Sequence, residues 1–195
     1  MRIIAGEFKG RHLATPKDLQ TRPTSDRVRE ALFSILETRG AVGGASVLDA
    51  YAGTGALALE ALSRGAAHAT VVDRSKSAVT LLTRNIEDLR VTDRTTLICG
   101  EADKVLSRAR IPGAPFSLLL LDPPYTMDFD RTLTLLEKVA SAEKMLVEGA
   151  VIVWEHRGSE GVAPIWPESF LAEEPRLYGD TAISIATFRS SGEQA

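Results

Sequence analysis

Between residues 45 and 156 short apolar runs alternate with stretches of helical period, and this alternation limits the possible folds more than any other feature of the chain. "ASVLDAY", "HATVVDR", "TTLICGEA", "FSLLLLD" and "GAVIVWEH" read as strands, while "ALALEALSRG", "SAVTLLTRNIEDL", "DKVLSRA" and "RTLTLLEKVASAEKML" read as the helices between them. Strands with apolar residues in continuous runs need cover on both faces, and strand–helix–strand units make parallel neighbours. The pattern predicts a doubly wound α/β domain. The end of the chain departs from it: "FLAEEPRLYGDTAISIATF" holds two strand-like segments joined at Gly179-Asp180, a tight-turn pair with no room for a crossover helix. Those last two strands must be antiparallel to each other.

With 195 residues, 44% of them hydrophobic and 25% charged, the chain fits one domain with a full sheet in its interior. No apolar run approaches the roughly 20 residues of a bilayer span, and "MRIIAGEFKGRHL" lacks the features of a signal peptide, so the expectation is a cytoplasmic protein without a membrane partner. His12, His68 and His156 show no metal-ligand spacing, so no metal is expected. Cys99, the single cysteine, sits in the apolar-leaning "TTLICG" and reads as a core residue.

Ahead of the alternation, "RIIAGEFKGRHLATP", broken by Gly6 and Gly10, reads as a small hairpin or extended arm. Val28, Ala31, Leu32, Ile35 and Leu36 then recur at helical spacing, with Thr24 or Ser25 as a candidate N-cap and Gly40 as a stop. Arg22, Arg27 and Arg29 cluster at the start of this helix, where cations oppose its dipole and so add no stability. Residues 1–39 carry a net charge of +3 and residues 40–195 a net −6. The basic front fits either a polyanion contact or an ordinary solvated surface. The expected division is a basic N-terminal extension over 1–39, a main domain over 40–189 and a frayed tail over 190–195.

"LDAYAGTGALALE" places Gly53 and Gly55 between a strand and a helix, with Ala58 third in a G-x-G-x-x-G/A pattern. Such glycines permit a sharp turn and close approach of a ligand to the backbone. Asp73 follows Gly55 by eighteen residues at the end of the next strand, where a carboxylate can accept from two ribose hydroxyls. Both features suit NAD, FAD or S-adenosylmethionine. Asp49 helps to choose among them: an acid four residues before the first glycine would oppose a pyrophosphate, but it suits the sulfonium and ammonium of S-adenosylmethionine. Asp103, after the third strand, reads equally as an acceptor for the adenine amino group and as a helix N-cap.

"LLLLDPPYTMD" ends a buried strand on an acid and stops it with two prolines. An exocyclic amine on an aromatic base is a poor nucleophile because its lone pair is delocalised. Acceptors for both amine protons favour the pyramidal nitrogen that can attack. Asp122 and the Pro123 carbonyl supply such acceptors, Pro123 and Pro124 stiffen the segment, and Tyr125 offers a stacking face. An NAD-dependent oxidoreductase, a DNA adenine or cytosine amino-methyltransferase, and an RNA-binding module without catalysis are the rivals. The first is opposed by Asp49 and "DPPY", the second by the lack of a long insert for reading sequence, and the third by the cofactor loop beside an amine site.

"LDAYAGTGALALEALSRGA", "VVDRS" and "DPPY" together resemble the class I S-adenosylmethionine-dependent methyltransferases that modify amino groups. Within them, "RIIAGEFKGRHL", "TRPTSDRVREALFSIL" and "YGDTAISI" resemble the RsmD family, which methylates the N2 amine of one guanine in 16S ribosomal RNA. The resemblance implies a Rossmann-like, seven-stranded, mostly parallel sheet with an antiparallel last strand, plus an N-terminal β-hairpin and helix. It implies that the loop from Asp49 through Ala52, Gly53, Thr54 and Gly55 holds the methionine part of the cofactor, Asp73 the ribose and Asp103 the adenine, with Arg74 and Ala102 also at the cofactor. Asp122 to Tyr125 would form the amine site, and Arg22, Thr24, Arg27 and Glu155 would face the pocket or the RNA, Glu155 being equally readable as a buried structural acid. The implied partner is 16S rRNA, within the small subunit or an assembly intermediate, and the implied state a monomer. Ala58 stands where the family more often has glycine.

Overall fold

The computed structural model describes residues 1–16, 26–108, 110–124, 126–158 and 164–190. Its elements follow the predicted order: α1 (Asp26–Thr38), β1 (Ser46–Asp49), α2 (Ala56–Ser63), β2 (His68–Asp73), α3 (Lys76–Leu89), β3 (Thr95–Cys99), α4 (Ala102–Leu106), β4 (Phe116–Leu121), α5 (Phe129–Ser141), β5 (Leu146–Arg157), β6 (Phe170–Ala172), β7 (Arg176–Tyr178) and β8 (Thr181–Phe188). One sheet contains all the described strands, in the order β3-β2-β1-β4-β5-β8-β6, with β7 also on β8. The first five strands are mutually parallel, and β8 runs antiparallel to β5. The Gly179-Asp180 turn joins β7 to β8 as expected. Both β6 and β7 pair with β8, so they fill a single edge position that is interrupted around Pro175, which has no N–H to give to a ladder. Eight strand segments therefore occupy the seven expected places.

The strands are apolar throughout because successive side chains enter two different cores. Val47, Val71, Leu118, Leu120, Val153 and Ile185 face one core with α1, α2 and α3; Leu48, Val72, Leu119, Leu121, Ile152 and Trp154 face the other with α4 and α5. The N-terminal segment joins the first core through Ile3 and Leu13. It closes as a short hairpin on one antiparallel bridge, Arg2 with His12, and on the hydrogen bond from Ile3 N–H to the Arg11 carbonyl.

Local chemistry sets the helix ends. Ser75 caps α3 by accepting from the Ala78 N–H, and Leu82, Ile86 and Leu89 turn its apolar side inward. Gly40, at φ 66°, ends α1 by donating to the Glu37 carbonyl. The proposed caps Thr24 and Ser25 lie outside the described residues. Two expectations are corrected. Cys99 is exposed, because β3 is the edge strand of the sheet and covers less than a central strand does. Arg29 is fully buried, so it does not join Arg27 in an exposed cluster. Its guanidinium donates to the Arg2 carbonyl at 2.5 Å and to Asp26 at 3.1 Å and lies 3.7 Å from the buried Glu60.

Candidate active site

Parallel strands deliver their C-terminal ends to one edge of the sheet, and the order β3-β2-β1-β4 lines up Asp103, Asp73, Asp49 and Asp122 along it. Asp49 is the last residue of β1, in register with Val71 of β2 and Leu120 of β4. The chain then turns sharply. Ala52 N–H donates to the Val72 carbonyl and Gly55 N–H to the Ala52 carbonyl at 2.7 Å, with Gly53 at φ 53° and Gly55 at φ 82°. The φ of Gly55 demands glycine, and a Cβ there would also lie 2.3 Å from the tip of the buried Leu82, which would have to shift. Ala58, one turn into α2, is fully enclosed, and its methyl group is accommodated.

Asp73 fastens this loop. One of its carboxylate oxygens accepts from Gly53 N–H at 2.8 Å and the other from Ser75 N–H at 2.8 Å. Each oxygen keeps a further lone pair for a hydroxyl donor. Asn85 fastens the loop from the far side. Its amide donates to the Thr54 carbonyl and to the Ala14 carbonyl, while its oxygen accepts from Ala14 N–H at 2.7 Å. The N-terminal segment is thereby tied to the glycine turn through one buried side chain on α3.

Asp49 is buried, with neither carboxylate oxygen in a hydrogen bond. Burial pushes its pKa up to about 7, and the neighbouring Asp73 charge adds to the shift. The amides of Tyr51 and Ala58 oppose it without closing hydrogen-bond geometry on the carboxylate. An unpartnered buried acid below a glycine turn suits a cationic group and disfavours a pyrophosphate. The donor set fits the sulfonium and ammonium of S-adenosylmethionine.

Asp103 does not cap α4, whose N-cap is Glu101; instead it accepts from Arg131 of α5, with Nε at 2.7 Å. Tyr51, in the turn after β1, is close enough to feel the charges of both. Burial and the Asp103 charge raise its pKa to about 12, against an opposing effect of Arg131, and its hydroxyl contacts the Met127 sulfur at 3.5 Å. These contacts join the loops after β1, β3 and β4 into one rim.

Asp122 follows β4 and is half-buried; Pro123 is buried, and the Pro124 carbonyl accepts from Met127 N–H at 2.7 Å. Phe129, at the start of α5, packs edge-on against Trp154 and His156 of β5, with ring centroids 5.1 and 5.0 Å apart. His156 is buried, which lowers its pKa, and its ring meets the Arg157 carbonyl and the Ser184 hydroxyl. Glu155 is buried beside it on β5. Arg27 and Arg74 are exposed, and Ala102 is buried. Tyr125, Arg22 and Thr24 lie outside the described residues. No cluster of potential metal ligands occurs among the described residues, and no described helix is long and apolar enough to cross a membrane.

Tyr51, Asn85, Arg131 and His156 belong to this region, and the sequence alone gives none of them a role in it. Asn85 had a signal, as a polar residue among Leu82, Ile86 and Leu89 on the apolar side of α3. Arg131 had none, because its partner is 28 residues away on another element.

The family model described as "Conserved hypothetical protein 95" matches residues 1–187. The Ribosomal RNA small subunit methyltransferase D of Escherichia coli strain K12 is 33% identical over 198 residues, covering 99% of this chain and 92% of that one. YlbH of Bacillus subtilis strain 168 is 33% identical over 185 residues, covering 95% and 97%. The solved structure of yhhF from Escherichia coli superposes with a TM-score of 0.83 at 31% identity, covering 98% of this chain and 99% of that one. Matched along nearly its whole length in both sequence and fold, the chain belongs to the RsmD family of methyltransferases.

Proposed function

We propose that this protein transfers a methyl group from S-adenosylmethionine to the exocyclic N2 amine of a guanine in small-subunit ribosomal RNA. The observation that carries the reading is the shared edge: an unpartnered buried carboxylate under a glycine turn at the end of β1, beside an acid-Pro-Pro segment at the end of β4. Relatives named as ribosomal RNA small subunit methyltransferase D support the RNA substrate.

In this reading Asp49 faces the cationic end of the cofactor, Asp73 accepts from the ribose, and Asp103, steadied by Arg131, accepts from the adenine amine. The bound cofactor supplies an electrophilic methyl group on sulfur. Asp122 and the Pro123 carbonyl accept from the two amine protons, and the nitrogen lone pair is localised toward the methyl group. Attack along the carbon–sulfur axis then needs alignment more than a strong base. The surplus proton leaves afterwards to Asp122 or to water.

Mass spectrometry of ribosomal RNA from a strain lacking the gene, and from the same strain with it restored, tests the reading. One guanine should lose and regain 14 mass units, that of one methylene. An unchanged RNA would refute the substrate. Asp122→Ala should lower methyl transfer by about 10³-fold or more while leaving the cofactor Kd within about twofold. Asp73→Ala should raise that Kd at least about tenfold. Equal loss of binding and transfer in both variants would mean that these roles are wrongly divided.

A further inference from the structure

We propose that the groove at the N-terminal end of β4, on the sheet edge opposite the candidate active site, is a second RNA contact that holds backbone phosphates through Arg108, Arg110 and Lys138. The inference rests on the reading of the substrate as RNA and adds a surface to it.

The groove has a volume of about 1260 Å³ and lies between the connection from α4 to β4 and the turn that follows α5. Its floor is apolar and fixed, with Leu106, Ile111 and Met145 all buried. Arg108 and Arg110 stand on one wall; Lys138 and Lys144 stand on the other. The Lys144 ammonium lies 3.8 Å from Glu143, the acid of the lining, so those two largely offset each other. Arg108, Arg110 and Lys138 are exposed and have no ion pair or side-chain hydrogen bond among the described residues.

Beyond Arg110 the connection is pinned to the sheet. Thr70 of β2 donates its hydroxyl to the Pro112 carbonyl at 2.6 Å, and Ser46 of β1 donates to the Gly113 carbonyl at 2.5 Å. Gly113, at φ 90°, sits so close that a Cβ would lie 2.6 Å from the Thr70 oxygen. The connection is therefore anchored to the sheet two and three residues after Arg110.

The N-terminal region differs, although its composition drew attention first. There Arg29 is buried against Asp26 and Glu60, Arg39 pairs with Glu173, Arg2 lies 3.9 Å from Asp26, and Arg11 donates to the Asp88 carbonyl. Those four cations have partners within the protein, whereas the exposed Lys9 and Arg27 have none among the described residues. Arg108, Arg110 and Lys138 gather positive charge at one place on a segment of the chain with net charge −6. Two exposed walls, with no converging donors at a buried point, suit successive phosphates of a strand better than one small anion. The β4 strand separates the groove from Asp122 by six residues, roughly 20 Å, so a substrate must be larger than a single nucleotide to reach both.

The test compares the wild type with the R108A/R110A/K138A variant of the full chain. Fluorescence anisotropy with a 20-base-pair RNA duplex, over a range of salt concentrations, should give weaker binding and a log–log salt slope smaller by about 2 to 3. In methyl transfer to small-subunit particles the variant should show a KM raised about tenfold, with kcat and the cofactor Kd unchanged; the unchanged Kd also reports intact folding. The R108K/R110K variant should recover most of the binding. An unaltered salt slope and Kd would overturn the proposal. So would inorganic phosphate or a mononucleotide displacing the duplex at low millimolar concentration, since that marks a small-anion site. The duplex measurement needs no turnover. RNA binding through the groove without methylation of ribosomal RNA would therefore refute the proposed function and keep the groove, while normal methylation with an indifferent groove would do the reverse.

Discussion

Asp49 is held in a state that a carboxylate avoids in water. Its pKa of about 7, against an ordinary 3.8, is set first by burial. The folded chain therefore binds a proton that the unfolded chain releases across this interval. The stabilisation is full below about pH 4 and is lost as the pH rises to about 7. Each displaced unit is worth 1.36 kcal/mol, so the shift has a ceiling of about 4 kcal/mol. Asp49→Asn should accordingly unfold at higher urea than the wild type at pH 8 and show little difference at pH 4, with cofactor affinity lowered at least about tenfold. The sign for binding is opposite. A cation beside Asp49 favours its ionised form, so binding releases a proton below pH 7, and affinity should rise with pH up to about 7 and then level. Calorimetry in buffers of differing ionisation enthalpy would detect the proton, and a pH-independent affinity would contradict the role. The acid itself was legible, through its place before the glycines. Its isolation was not, because that depends on which amides stop short of it.

At the scale of elements, the N-terminal hairpin is a brace for the active-site edge. Glu60 of α2, fully buried, accepts from Ile4 and Ala5 N–H at 2.8 and 3.0 Å and from Arg64 at 2.7 Å. Ser63 accepts from Phe8 N–H through its hydroxyl and from Glu7 N–H through its carbonyl. Gly6 is in contact with that same residue: a Cβ would lie 1.8 Å from the Ser63 carbonyl oxygen, at φ 82°. Gly6→Ala should lift the hairpin off α2, destabilise the protein by at least about 2 kcal/mol, and make the Glu7 and Phe8 amides exchange rapidly with solvent. Slow exchange at both amides would mean that the helix yields instead. The sequence pattern of Gly6 and Gly10 announced a turn, and the spacing of Val28 to Leu36 announced α1. Neither indicated that Arg29 and Glu60 would meet inside, since a buried ion pair between distant segments leaves no local period. For the same reason "TTLICG" read as a core strand, although its place at the sheet edge leaves Cys99 in solvent.

Taken whole, the molecule has its candidate chemistry on one edge of a sheet, a braced N-terminal segment on one face and a basic groove on the opposite edge. Among the described residues, short connections join the strands and helices, and none holds an inserted domain. Under the proposed function, a substrate that brings its own shape would supply much of the recognition. Methyl transfer to assembled or partly assembled small subunits should exceed transfer to a free RNA hairpin carrying the same guanine by at least about tenfold in kcat/KM. Equal rates would place recognition in the hairpin alone. The doubly wound order, the glycine turn, the acids at strand ends and the closing antiparallel hairpin were all determined by the sequence itself. Periodicity, turn chemistry and chain direction are local properties, and parallel strands bring their ends to one edge however the helices pack. Only the tertiary structure decided which of those acids is left without a partner, that Arg131 claims Asp103, that Asn85 joins the hairpin to the glycine turn, and where positive charge remains unmet. Those outcomes depend on contacts between residues far apart in the chain, and burial sets their energies.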